Sequence, residues 1–161
     1  MDAPDFVHPV DILLEEHRKI SRYIVNFSNL LDNPAEWESA IQNAIQLINH
    51  DFVQHERREA ILVNELEKLM GGKIGPLEMV EKEHRQLDSL RKRFNQTLGK
   101  IDLSALDGTD PNVLELLDIG NRLVWAKKSH FFKDEHFLFA AARGVLPAER
   151  LREIAWKMEA I

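Results

Sequence analysis

Cysteine is absent from the 161 residues, which excludes a disulfide framework, a thiolate zinc site, a Cys-ligated iron–sulfur cluster and a cysteine nucleophile. Long apolar runs are missing too. None approaches the ~20 residues that cross a bilayer, and residues 1–9 lack the basic start and apolar centre of a signal peptide, so no membrane span and a cytoplasmic location are expected. A basic stripe is also lacking. The net charge is −6 with Lys and Arg scattered among acids, so nothing lines up to neutralise a phosphate backbone and nucleic acid is not an expected partner. Alternating β-branched runs bounded by two-residue turns do not occur, which removes the strand signal. Glycine (7) and proline (6) are few, and their clusters divide the chain into helix-length pieces.

Between those clusters runs an apolar pattern of threes and fours, the spacing of amphipathic helices packed side by side. The first segment reads Val10, Leu13, His17, Ile20, Ile24, Phe27, Leu31, and the second Ile41, Ile45, Ile48, Phe52, His55, Glu59, Leu62, Leu66, Leu69. The third reads Leu77, Val80, His84, Leu87, Arg91, Phe94, Leu98, with Leu90 expected to take the inward place of Arg91. The fourth reads Leu116, Ile119, Leu123, Ala126, His130, Asp134, Phe137, Ala141. Short joints before Pro34 and Pro76 favour antiparallel neighbours. The expectation is an all-α fold, an up-down-up-down four-helix bundle over about residues 9–142 within a single domain, 1–161. A short additional C-terminal helix, about 147–161, carries Leu151, Ile154, Met158 and Ile161 on one side, to cap the bundle or join a homodimer.

Each long stripe is interrupted once by a histidine: His17, His55, His84 and His130. Glu59 and Asp134 follow four residues after His55 and His130, one turn on along nearly the same face, so each pair forms a two-toothed claw. A lone buried histidine is ordinarily satisfied by one carbonyl or hydroxyl. Six ionisable groups in one core would cost several kcal/mol per ion unless neutralised, and no lysine falls on these stripes, so a bound cation is expected there. His8, His50 and His136 fall off the stripes and read as capping or solvent-facing. Glu56, Glu135 and Asp88 are candidate outer partners or extra ligands, with a solvated face as the alternative for each. Four imidazoles and two carboxylates exceed one closed zinc site. Two octahedral ions share about twelve positions, so bridging carboxylates leave some open, and this donor set favours two non-haem irons over manganese or zinc. A count of ~1.5 Å per residue brings His84, His130 and Glu59 near one level but leaves His17 and His55 roughly 9 Å apart.

These residues carry a resemblance. The order His17, then His55-Glu56-Arg57-Arg58-Glu59, then His84, then His130-Phe131-Phe132-Lys133-Asp134 resembles the hemerythrin-like, or HHE cation-binding, domains, whose pattern of a lone His followed by His-x-x-x-Glu is duplicated. Glu16-His17-Arg18 and Glu83-His84-Arg85 repeat the same tripeptide. The family usually has Glu where Asp134 stands, and its oxygen carriers take that acid one place later, which makes Glu135 the rival. Those carriers also place a second histidine four residues after the third-helix histidine, where this chain has Asp88. The resemblance implies a non-haem di-iron protein that binds, senses or scavenges a small oxidant (O2, NO or peroxide) or iron. The alternatives are an enzyme of the iron-centre repair or oxidase type, and a metal-free bundle that binds a partner.

Overall fold

The computed structural model describes residues 5–73 and 75–161; residues 1–4 of the stretch compared with a signal peptide lie outside them. Helix α1 (Pro9–Leu30) starts at a proline, whose missing N–H costs nothing in a first turn, and the His8 ring caps it by accepting from the Val10 N–H at 3.1 Å. A 3-10 turn, Pro34–Glu36, leads into α2 (Trp37–Gln46), which passes through a widened π turn (Leu47–Asp51) into α3 (Phe52–Met70). Gly71 ends α3 with a φ of 77°, a left-handed conformation that a side chain would strain. Then come α4 (Pro76–Leu98), α5 (Pro111–Lys133), a second π turn (Asp134–Leu138), α6 (Phe139–Val145) and α7 (Ala148–Glu159). The rods are therefore α1, α2 with α3, α4, and α5 with α6: the expected four-helix bundle, with no strand among the described residues.

The core is split. One apolar cluster holds Ile20, Ile24, Phe27, Ile41, Phe52, Phe94, Leu116 and Leu123; the other holds Val10, Leu13, Leu62, Leu66, Leu77, Val80, Leu138 and Phe139. Along every rod the change from one cluster to the other falls at the site histidine. Leu13 and Ile20 flank His17, Phe52 and Leu62 flank His55 with Glu59, Val80 and Phe94 flank His84, and Leu123 and Leu138 flank His130 with Asp134. A polar layer is thereby shut between two dry ones. Helix α7 belongs to the second cluster through Ile154 and Met158, so its apolar side faces the bundle, while Ile161 lies exposed.

Both π turns sit beside the polar layer, and the second corrects part of the sequence reading. A π turn admits one extra residue and rotates the helix beyond it. After Asp134 the buried positions are Leu138, Phe139 and Ala142, whereas Phe137, expected inward, is exposed and Ala141 is half-buried. In the second rod, ahead of the first π turn, Ala44 is buried and Ile45 packs half-buried on the first cluster, while Leu69 near the rod's end is exposed. Leu90 packs half-buried on the first apolar cluster as expected, and Arg91 keeps a largely buried place beside it through polar contacts. The Arg91 Nε donates to the Ile48 carbonyl inside the first π turn at 3.1 Å.

Gly120 sits in mid-α5, where a Cβ would meet the Phe94 and Phe27 rings at 3.4 and 3.5 Å, ordinary contact distances. Replacing it with Ala removes helix-interior glycine entropy, so Gly120→Ala is expected to stabilise the fold by about 0.5–1 kcal/mol. Thermal denaturation checks this; a lower melting temperature would mean that the aromatic rings cannot accept a methyl group.

Candidate metal centre

His17, His55, Glu59 and Asp134 each aim one ligand atom into a common volume in which those atoms lie within 4.8 Å of one another, and Glu59, His84 and His130 do the same. His17 and His55 therefore share one level, with their Nε2 atoms 3.1 Å apart. The predicted mismatch disappears because a uniform helical rise does not hold across the 3-10 turn and the π turn between the first joint and His55.

Glu59 serves both groups. Its Oε2 is 3.1 Å from His55 Nε2, and its Oε1 is 3.5 Å from His84 Nε2 and 3.6 Å from His130 Nε2. Asp134 spans them as well, with Oδ2 3.1 Å from His130 Nε2 and 3.9 Å from His17 Nε2. His17, His55, His130, Glu59 and Asp134 are buried, and His84 alone among the four histidines is partly exposed, at 24%.

The outer ring edges explain why Nε2 points inward. His55 Nδ1 faces Glu16 Oε1 at 3.4 Å, His130 Nδ1 faces Glu83 Oε2 at 2.5 Å, and His17 Nδ1 faces Glu135 Oε1 at 3.1 Å. A carboxylate there takes the Nδ1–H and leaves the Nε2 lone pair for an ion. Glu16 is held in turn by Arg58 at 2.5 Å, and Glu83 by Lys133. The arrangement is duplicated: the glutamate before each lone histidine orients the histidine of the following claw, and a cation three residues after that histidine holds the glutamate. Glu16 and Glu83 were visible in the repeated Glu-His-Arg but were not singled out. Substituting Glu83→Gln or Glu16→Gln is expected to weaken metal affinity by about 10–100-fold with the helix content unchanged, read by competition against a chelator.

The other acids fall elsewhere. Glu135 stands behind His17, half-exposed, while Asp134 takes the inward position. Glu56 is neither in the ligand cluster nor on a solvated face, for it pairs with Lys127 at 2.9 Å and Arg91 at 3.2 Å. Asp88 is exposed and pairs with Arg91 at 2.7 Å. His50 and His136 are exposed, as expected.

Lys127 corrects the view that no lysine enters this core. It is fully buried, and Ala126, read as the inward residue, faces out. Both positions fit a spacing of threes and fours, and apolarity favoured the alanine; the structure takes the lysine because Glu56 compensates its charge. That charge is committed to Glu56, so it does not replace a cation between Glu59 and Asp134.

Electrostatics show the strain. Burial pushes the Glu59 carboxyl upward, but contacts from His130, His55 and His84 outweigh it and hold Glu59 well below the usual range. Burial, followed by the neighbouring Glu59 charge, drives Asp134 well above its usual range. Burial and then the nearby His55 bring His17 down to about 2, whereas His55 is raised because bonds to Glu16 and Glu59 overcome its burial. Five buried atoms of this layer, Glu59 Oε1, His84 Nε2, His130 Nε2 and both Asp134 oxygens, make no hydrogen bond among the described residues, the 3.1 Å approach of His130 Nε2 to Asp134 Oδ2 lacking hydrogen-bond alignment. Native cores seldom leave such groups unpaired. Imidazole nitrogens and carboxylate oxygens that converge with lone pairs forward are what one or two transition-metal ions require, so the residues fit a metal.

Among the described residues no helix is long and apolar enough to cross a membrane. No curated protein and no solved structure matches the chain. The family model for the hemerythrin HHE cation binding domain matches residues 8–112, taking in His17, His55, Glu59 and His84 and ending before His130 and Asp134. The chain belongs to the hemerythrin HHE cation-binding domain family.

Proposed function

We propose that this protein holds two non-haem iron ions in its polar layer and there binds, senses or scavenges a small oxidant, O2, NO or peroxide, or responds to iron itself. His17 and His55 would hold one ion and His84 and His130 the other, with Glu59 and Asp134 reaching both groups. The observation that carries this reading is the set of five orphaned, buried donor atoms in a layer shared by all four rods. Four imidazole nitrogens and four carboxylate oxygens would supply about eight of the roughly twelve positions that two octahedral ions take, which would leave room for water or a small molecule. The bound metal would supply redox and Lewis-acid chemistry. The chain's own part is to orient the rings through Glu16, Glu83 and Glu135 and to exclude water, with Phe131 stacked on His17 at 3.8 Å. Residues 1–161 act as one domain in this reading, since α7 shares the second core, and the cytoplasm is its setting.

Anaerobic reconstitution with ferrous iron tests the proposal, with metal counted and absorbance followed on exposure first to oxygen and then to nitric oxide. Two irons per chain and a spectral change with either gas are expected. Fewer than one iron per chain, unaltered by His55→Ala, would overturn the reading in favour of a metal-free bundle that binds a partner. Catalytic turnover of peroxide lost in His130→Ala would make it an enzyme.

A further inference from the structure

We infer that the small ligand enters this centre through the crevice between α3 and α4 that ends on His84, and that the crevice selects neutral molecules over anions. The inference rests on the metal reading above and adds a route and a ligand class to it.

Among the described residues, cavities beside α1, between α4 and α5 and between α3 and α4 approach the polar layer, and the first and second are plugged. The cavity of about 400 Å³ beside α1 reaches Glu16 and Arg58, the pair that stands behind His55. The cavity of about 240 Å³ between α4 and α5 reaches His130, but from the side where Glu83 and Lys133 cover Nδ1. The third, also about 240 Å³, has apolar walls of Ala60, Val63, Leu77 and Val80 and opens on His84. No carboxylate is bonded to His84 Nδ1 among the described residues, and this is the site histidine with the exposed edge.

The rest of the layer closes the other half. Phe131 stacks on His17 at 3.8 Å and meets His55 edge-on at 5.2 Å, and Phe139 lies 5.2 Å from His17. No such ring covers His84 or His130 among the described residues. Asp88, four residues after His84, does not fill the gap because it turns outward to Arg91. At the mouth, Glu81 is paired with Lys73 at 3.3 Å and Arg85 at 3.4 Å, Asp88 is paired with Arg91 at 2.7 Å, and Glu67 is the further acid of the lining. With Lys73 and Arg85 compensated by Glu81, the mouth offers an anion no free positive charge, and the apolar throat beyond strips its hydration, whereas a neutral diatomic bears neither cost.

The test has two readouts. In the metal-free protein, diethyl pyrocarbonate followed by peptide mass analysis is expected to modify His84 well before His17, His55 and His130. Val63→Trp should slow that reaction several-fold, and Val80→Ala should speed it. In the iron-loaded protein, Val63→Trp should slow nitric oxide association at equal iron content, whereas Lys19→Trp, in the cavity beside α1, should leave it unchanged. Glu81→Gln should speed azide association several-fold and leave nitric oxide unaffected. Equal modification of all four histidines, or a nitric oxide rate indifferent to Val63→Trp, would overturn the route; an azide rate indifferent to Glu81→Gln would overturn the charge selectivity. A chain that takes up no iron while His84 remains the reactive histidine would defeat the metal reading and leave the route standing.

Discussion

Glu59→Gln is expected to lose both proposed ions at once, leaving less than one metal per chain where two are expected in the parent protein. Its two oxygens point to different histidine pairs, one to His55 and the other to His84 and His130. A carboxamide offers one oxygen and turns an N–H₂ donor toward the second site, where an ion cannot coexist with it. The loss should exceed the roughly 10–100-fold that outer partners cost. Because Gln keeps the volume, circular dichroism should show the bundle intact. Asp88→Asn, at an exposed acid outside the layer, should leave the metal count untouched. A Glu59→Gln protein that retains two ions would remove the shared carboxylate from the centre.

The second large effect is on stability. A metal that binds the folded chain alone, present at about 1,000 times its dissociation constant, adds about 4 kcal/mol, or roughly 10 °C of melting temperature for a chain of this size. The increment should shrink as pH falls. Asp134 and His55, both with raised pKa values, must give up protons for a metal to bind, whereas His17, lowered to about 2, is already neutral and imposes no such cost. Without metal the sign for Asp134 reverses. Its folded pKa lies above the unfolded one, so its contribution is complete below the ordinary carboxylate range and is lost as pH rises through the elevated folded value. Asp134→Asn should therefore raise the melting temperature of the metal-free protein at neutral pH while lowering its metal content. Differential scanning calorimetry with and without iron between pH 5 and 8 reads both effects; a metal-free Asp134→Asn protein that melts lower than the parent would contradict them.

These opposed effects share one structural origin. Two carboxylates and four imidazoles are enclosed between dry layers, and the positive charge brought into the same core, Lys127, is paired with Glu56 instead. The metal-free layer holds its charges by raising Asp134 and leaving five atoms unpaired. A bound ion would relieve both, and stability in the absence of metal would then be the cost of keeping the site ready, as is common where buried polar groups serve binding.

The all-α bundle, the inward histidines and the two claws were legible in the sequence because they depend on local periodicity. Residues three and four apart share a helix face whatever the helix packs against, so His17, His55, Glu59, His84, His130 and Asp134 announced themselves by interrupting apolar stripes. The repeated Glu-His-Arg held the information about Glu16 and Glu83 as well, but a glutamate one place from a histidine points about 100° away from it, and nothing in one helix says that a neighbouring helix's histidine waits there.

Only tertiary structure decided the rest, because it depends on contacts between rods. Where a helix widens by one residue is set by the fit of its two halves to different neighbours, and that choice sent Leu138 inward in place of Phe137. Whether position 126 or 127 faces the core turned on a carboxylate 71 residues away, Glu56, which makes a buried Lys127 tolerable. The common level of His17 and His55, the shutter of Phe131 and the bare edge of His84 arise in the same way. Periodicity in a chain states which side of a helix is buried; what that side meets, and which of several buried groups is left free for a ligand, is settled when four such sides close on one another.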